Sequence, residues 1–124
     1  MMSNKEHIPA TLFIKNLKVT CVIGVNPDER VRQQEIRMQL FLWTDMAKAS
    51  RSDNLEAALD YRTIYKEVVK RVEHSTFYLI ERMVYEVATI CLQYPLTQKV
   101  TVILEKIGAL KKAESAGIEL TLEK

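Results

Sequence analysis

Four polar side chains in this sequence are candidates for chemistry: Glu29, Tyr61, Glu81 and Lys106. Lys106 is the most informative, because counting by twos from Val100 places it on the inward face of a predicted strand. One interpretation is that its amine simply reaches solvent at the end of the strand. The other is a partly desolvated amine available for proton transfer, because burial disfavours the charged form of a lysine.

Glu81 lies in the first turn of a predicted helix, on a stripe with Val84 and Ala88 at the margin of the apolar face. Its carboxylate could compensate the helix dipole. It could instead anchor a ligand through paired N–H donors, because it offers two acceptor oxygens in one plane. Tyr61 and Glu29 lie where loops meet regular elements, a position typical of site residues and also of ordinary exposed ones.

The residue inventory argues against other classes of site. With only His7 and His74, and no close cysteine pair, we expect no metal site and no nucleophilic triad. His7 is expected in an unstructured start, and His74 is expected to close a helix, where an imidazole suits the dipole. Cys21 and Cys91 lie within apolar runs and are expected to be reduced, buried thiols. The three glycines form no phosphate-binding loop.

The bulk composition indicates one domain with a core of its own. The chain has 124 residues, 48% of them hydrophobic, so a second domain is not expected. Eighteen basic and sixteen acidic residues are interspersed, which gives no reason to expect nucleic acid as a partner. No apolar run suits a signal peptide or a membrane span, so we expect a cytoplasmic protein. Residues 1–10 are predicted to be flexible and residues 11–124 to form the domain.

Hydrophobic periodicity predicts the elements that position these side chains. Two alternating segments, Thr11–Ile23 and Glu35–Met46, are predicted strands. Two helices follow, from Tyr61 to His74 and from about Leu79, and Pro95 ends the second. The remaining predicted strands contain the alternating apolar sets Val100, Val102 and Leu104, and Ile118, Leu120 and Leu122.

The element order is therefore strand, strand, helix, helix, strand, strand, which predicts an α+β fold with helices on one face of the sheet. Before the first long helix, Asp53 and Glu56 are predicted to form a capping box that opens a short helical turn. Such a sheet leaves two exposed edges, and closing several sheets into a ring would remove them. We therefore expect an oligomer.

Several separated segments agree in order with a known family, over about Thr11 to Leu122. They are Ile14–Leu17, Ile23–Arg30, Ser52–Asp53, Leu59–Thr63, Phe77–Glu81, Glu105–Lys106 and Gly108–Leu110. In these segments the chain resembles the dihydroneopterin aldolase family. The resemblance implies the tunnelling fold (T-fold), in which two-helix subunits with four-stranded antiparallel sheets close a shared barrel, as a tetramer ring or a homo-octamer with active sites between subunits.

The resemblance also implies roles for individual residues. Glu81, with backbone groups near Leu79 and Ile80, looks like the grip on the pterin's amino-pyrimidinone edge. Lys106 looks like the proton-transfer lysine, and the family pattern argues against an imine at this residue. Tyr61 resembles a tyrosine that reaches in from the adjacent subunit. Glu29 resembles the glutamate that orders the substrate's hydroxyls or a catalytic water.

The implied reaction is retro-aldol cleavage of 7,8-dihydroneopterin, without a cofactor. Ile107 stands where the family usually has proline, which would loosen the aim of Lys106. The relative dihydroneopterin triphosphate epimerase shares the fold and most of these polar positions, and Lys111 with Lys112 could favour a triphosphate or be a solvated surface pair. A non-catalytic pterin-binding or structural ring is the third alternative, although a scaffold would not need all four polar residues.

Overall fold

The computed structural model describes residues 6–124 as one sheet with helices packed on it. The strands are β1 (Pro9–Cys21), β2 (Gln34–Asp45), β3 (Lys99–Ile107) and β4 (Ser115–Glu123). The helices are α1 (Ala47–Ser52), α2 (Tyr61–Glu73) and α3 (Ile80–Gln93), with 3₁₀ turns at Glu29–Val31 and Leu55–Ala57. The α+β prediction is confirmed, and both long helices begin within one residue of the predicted positions.

The four strands lie side by side in chain order, and every neighbouring pair is antiparallel. The helical segment between β2 and β3 returns the chain across one face, where α2 packs on β1 and α3 packs on β3 and β4. Because the order is β1-β2-β3-β4, β1 and β4 are the two edges of the described sheet. The predicted pair of exposed edges is therefore present.

The core lies between the inner sheet face and the apolar stripes of α2 and α3. Its fully buried side chains include Ile23, Ile36, Met38, Leu40, Leu42, Ile64, Val68, Val72, Met83, Val87, Val102 and Leu104. Both thiols are free and buried within this core, as predicted. Burial raises the pKa of Cys21 to about 11 and that of Cys91 to about 12, so both remain protonated at neutral pH.

A bulge divides β1 into two halves with different phases. Leu12 and Ile14 pack against the core from even positions, whereas Leu17 and Val19 do so from odd ones. The register with β2 shifts between Ile14 and Leu17, and Asn16 takes a left-handed φ of 55° there. An extra residue in one strand is what allows both halves to bury their apolar side chains on the same face.

The predicted capping box before α2 is wrong. Asp53 is the left-handed residue that ends α1, with φ of 54°, and its N–H donates to the Ala49 carbonyl. The cap of the following 3₁₀ turn is Asn54, whose side chain accepts a hydrogen bond from the Glu56 N–H at 3.0 Å. The helix α1 was also not predicted.

The predicted flexible segment, residues 1–10, extends too far along the chain, because Pro9 and Ala10 already belong to β1. His7, which was expected in an unstructured segment, is in hydrogen-bond contact with the rest of the domain, since its Nδ1 lies 2.7 Å from Asp45 Oδ2. The rest of that prediction, for residues 1–5, lies outside the described residues. Between residues 6 and 124, no helix is long and apolar enough to cross a membrane.

Candidate functional site

Lys106 lies on the inner face of β3, directly beyond Leu104, and pairs in register with Ile36 on β2. Its inward orientation, predicted from strand alternation, is confirmed, because only 13% of its side chain is exposed. The Nζ atom donates a hydrogen bond to Glu29 Oε2, whose side chain is equally shielded. The amine therefore does not snorkel into solvent, and it forms an ion pair at the edge of the core.

Glu29 is held for this contact by the tight turn after β1. Gly24 has φ of 132°, and a Cβ there would lie 2.2 Å from Glu29 Oε1, so glycine leaves the space that the carboxylate occupies. The Asn26 N–H also donates to Glu29 Oε1 at 3.3 Å. The hydrogen bond from Lys106 is the main cause that lowers the pKa of Glu29 below its ordinary value. Glu29 is consequently a carboxylate at neutral pH.

The start of α3 forms the facing wall of the same pocket. Leu79 is its N-cap residue and provides no side-chain cap, so the first N–H groups of the helix need another partner. Glu81 stands in this first turn with an exposed side chain. Within residues 6–124 its carboxylate forms no ion pair or hydrogen bond. This end of α3 therefore offers unpaired backbone donors next to an unpaired carboxylate acceptor.

A cavity of about 240 Å³ brings these groups together. Five of the six predicted site residues line it, namely Glu29, Leu79, Ile80, Glu81 and Lys106. Its remaining lining is Ile23, Gly24, Val25, Tyr78, Ala109, Leu110 and Ala116. At about 240 Å³ the cavity is smaller than most small-molecule sites, which occupy roughly 300–1,000 Å³.

Larger grooves lie elsewhere on residues 6–124, but their linings do not combine an ion-paired lysine with the start of a helix. One of about 380 Å³ between α2 and α3 is lined by Glu67, Lys70, Arg71, His74 and Ile90. There His74 closes α2 as predicted, with its Nδ1 2.8 Å from the Lys70 carbonyl. In the described part of the chain, no group of three His, Cys, Asp or Glu side chains could hold a metal ion.

Tyr61, the sixth predicted site residue, is the first residue of α2 and is absent from this cavity. Its side chain is 55% exposed. Asp60 caps the helix beside it by accepting hydrogen bonds from the N–H groups of Arg62 and Thr63. Asp60, just before α2, lines a groove with Leu96, whose carbonyl accepts from Thr44 near the end of β2. Shortly after α2 ends, the Phe77 carbonyl accepts from the Gly24 N–H. Tyr61 therefore lies at the opposite end of the sheet from Lys106.

Sequence patterns did not identify two neighbours of the site, Arg30 and Tyr78. The Arg30 guanidinium lies 3.9 Å above the Tyr78 ring, and Tyr78 lines the cavity. These residues are far apart in sequence and no periodicity links them. The only sequence signal was that both lie inside segments that carry the family resemblance.

Comparison with known proteins adds a family assignment to this geometry. A family model described as "FolB: Dihydroneopterin aldolase" matches residues 12–121. Dihydroneopterin aldolase of Escherichia coli is 34% identical over 86% of this chain and 88% of that protein. Its crystal structure in complex with neopterin matches with a TM-score of 0.87, at 32% identity over 91% of this chain and 98% of that one.

Two further relatives differ from that aldolase in name or in length. Dihydroneopterin triphosphate 2'-epimerase of Pseudomonas aeruginosa is 32% identical over 90% of both chains. The folic acid synthesis protein fol1 of Pneumocystis carinii is 38% identical over 93% of this chain. The chain spans only 16% of the length of fol1.

Proposed function

Because this chain belongs to the dihydroneopterin aldolase family and has its tunnelling fold, we propose that it cleaves 7,8-dihydroneopterin in folate biosynthesis. The products are 6-hydroxymethyl-7,8-dihydropterin and glycolaldehyde. The observation that carries the proposal is that the Lys106–Glu29 pair and the start of α3, with Glu81, line the same cavity. One wall offers proton transfer and the other offers recognition of a flat polar edge.

Recognition is assigned to the start of α3. The amino-pyrimidinone edge of a pterin presents two N–H donors beside a carbonyl acceptor. The Glu81 carboxylate matches the two donors in one plane, and an uncapped N–H near Leu79 or Ile80 matches the carbonyl. Positive potential at a helix N-terminus further favours the carboxylate and the electron-rich carbonyl oxygen.

The chemistry is assigned to Lys106 and Glu29. Removal of the proton from the 2'-hydroxyl allows the bond between C1' and C2' to break, and C2' with C3' leaves as glycolaldehyde. The electron pair passes from C1' into the imine of the dihydropterin ring, and a proton returned to C1' completes the hydroxymethyl product. An amine hydrogen-bonded to a carboxylate can accept and return protons in such steps, without a cofactor.

Tyr61 is assigned to the site of a neighbouring copy. It lies at the far end of α2, and thirteen residues of helix span about 20 Å at ~1.5 Å per residue. A single side chain does not bridge that distance within one chain. We propose that edges β1 and β4 of adjacent copies pair and close a ring, as a tetramer or an octamer of two rings, which brings Tyr61 to the next copy's cavity.

The two free buried thiols suit a reducing compartment, and we propose the cytoplasm.

A second candidate function is 2'-epimerisation of dihydroneopterin triphosphate. The P. aeruginosa epimerase resembles this chain as closely as the aldolase structure does and is covered over 90% of its length. Both reactions share the cleaved intermediate, which either recombines or loses glycolaldehyde. Lys111 and Lys112 follow the cavity residues Ala109 and Leu110, where positive charge suits a triphosphate. Ile107 also replaces the proline that the family usually has after Lys106.

The deciding experiment incubates the purified protein separately with 7,8-dihydroneopterin and with its triphosphate, followed by chromatography of the pterins. Release of glycolaldehyde from dihydroneopterin is the expected result. Epimer from the triphosphate without cleavage would favour the second function, and a Lys111→Ala, Lys112→Ala variant should then lose the triphosphate preference. No change in either pterin would contradict both functions and favour a pterin-binding or structural ring.

A further inference from the structure

Arg30 connects the two loops that carry the site residues. Its Nη1 donates to the carbonyl of Gly24 and to that of Phe77, both at 3.0 Å, and its Nη2 donates to the carbonyl of Thr76 at 2.7 Å. The first carbonyl belongs to the Glu29 loop, and the other two belong to the segment that leads into α3. One guanidinium therefore fastens both loops to each other.

Two further contacts strengthen this junction. The Arg30 guanidinium lies 3.9 Å from the centroid of the Tyr78 ring, which is close enough for a cation–π interaction. The Gly24 N–H also donates to the Phe77 carbonyl at 3.2 Å. Among residues 6–124, Arg30 forms no ion pair with a carboxylate. Its charge is directed at backbone carbonyls and an aromatic ring.

We propose that Arg30 is a positioning residue for the aldolase reaction: it holds the Glu29 turn and the start of α3 at the spacing that places both against one substrate. The inference rests on the proposed function and deepens it. Arg30 is adjacent to Glu29 in the same 3₁₀ turn, so a shift of the guanidinium moves the carboxylate that pairs with Lys106. It equally moves the segment that ends at Leu79, the N-cap of α3, and with it Glu81 in the first turn of that helix.

Arginine is specifically suited to this role. Its planar group presents several donors in a fixed fork and stacks on an aromatic ring, and it remains charged at all working pH values. A lysine ammonium reaches one or two carbonyls but cannot contact all three and also lie flat on Tyr78. Arg30→Lys should therefore keep the charge and lose most of the positioning.

The test compares Arg30→Met, Arg30→Lys and Arg30→Ala with the control Arg51→Met, which removes an exposed guanidinium from α1. We expect kcat/KM for dihydroneopterin to fall roughly 10²-fold in Arg30→Met, because misplacement of about 1 Å costs that much. The acid limb of its pH profile should move to higher pH, because Glu29 no longer lies beside the amine that lowers its pKa. Free guanidinium should restore part of the activity to Arg30→Ala and none to Lys106→Ala.

A purely structural role predicts something different, and Val68→Ala in the core serves as its reference. If Arg30→Met loses activity only in proportion to its fall in Tm, as Val68→Ala does, with an unmoved acid limb and no recovery by guanidinium, the inference is overturned. Unchanged kinetics in Arg30→Met would overturn it as well. If the unaltered protein cleaves neither pterin, the proposed function fails and this inference fails with it.

Discussion

The two ends of the sheet carry different parts of the proposed site. At one end, Glu29, Glu81 and Lys106 converge on a cavity within a single chain. At the other end, Tyr61 begins α2 with an exposed side chain and none of these partners. The first end therefore forms a pocket within one chain, whereas Tyr61 has a role in the proposed function only if a second copy brings its own cavity to that end.

The largest expected effect on activity is that of Lys106→Ala, at the cavity end of the sheet. Removing the amine should lower kcat for dihydroneopterin cleavage by about 10³-fold, within the range of general acid–base catalysis, while pterin binding stays measurable. Single-turnover assays and fluorescence titration with a pterin separate the two quantities. Lys66→Ala, an exposed change on α2, is the matched control. Normal turnover by Lys106→Ala would remove this lysine from the mechanism.

The next largest effect is expected at the facing wall, with Glu81→Ala. A lost hydrogen bond to a charged group costs roughly 1.5–3 kcal/mol, so Kd for the pterin should rise by at least about 10- to 150-fold. Glu81→Gln should lie in between, because an amide retains only one acceptor oxygen. Glu86→Ala is the control on the same helix, since Glu86 pairs with Arg71 and Arg82 outside the cavity. Equal Kd values for Glu81→Ala and the unaltered protein would exclude the proposed grip.

The contrast between the ends is tested most directly by co-expressing two variants that each lack one of the proposed site residues. Tyr61→Ala and Lys106→Ala each damage every site of a homo-oligomer. If each site uses Lys106 of one copy and Tyr61 of its neighbour, co-expression of both variants should leave roughly a quarter of the sites intact by random assembly. Activity above that of either variant alone is therefore expected. Activity equal to the sum of the separately assembled variants would contradict a shared site.

Most of the fold followed from periodicity, because each strand has one buried face and each long helix one buried stripe. The same alternation located Lys106 on the inner face of β3. The bulge in β1 left a signal that the prediction did not use, namely the phase shift between Ile14 and Leu17 around Asn16. The α1 helix was harder to predict, because its N-cap residue, Met46, provides no side-chain cap. The Ala47 N–H donates instead to the side chain of Asp45, one residue before the N-cap, at 3.0 Å.

The candidate site could be predicted only in part, for a physical reason. Lys106 and Glu81 are set by local periodicity, but the contact of Lys106 with Glu29 joins residues 77 positions apart. The bonds from Arg30 to the carbonyls of Thr76 and Phe77 span 46 and 47 positions. Such pairs depend on how loops meet after the sheet has formed. The position of Glu29 at a loop junction made it a candidate, but only the family resemblance indicated its role.

The smallest expected effect concerns the Tyr61 end alone and is a pH dependence of stability. Hydrogen bonds from the Ile8 N–H, His7 and the Ala47 N–H lower the pKa of Asp45 to about 2 from 3.8. A carboxyl group with a lowered pKa in the folded state stabilises the fold above its unfolded pKa, and that contribution is lost as the pH falls through the folded value.

Asp45→Asn should therefore lower the free energy of unfolding modestly at pH 7, and the difference from the unaltered protein should shrink between about pH 4 and pH 2. Urea unfolding across this pH range measures it, with Asp53→Asn as a control at the end of α1. A difference that persists undiminished at pH 2 would show that Asp45 acts through packing and not through its charge. Asp45→Asn and the unaltered protein should have the same Kd for the pterin at pH 7, because Asp45 lies outside the cavity that contains Lys106.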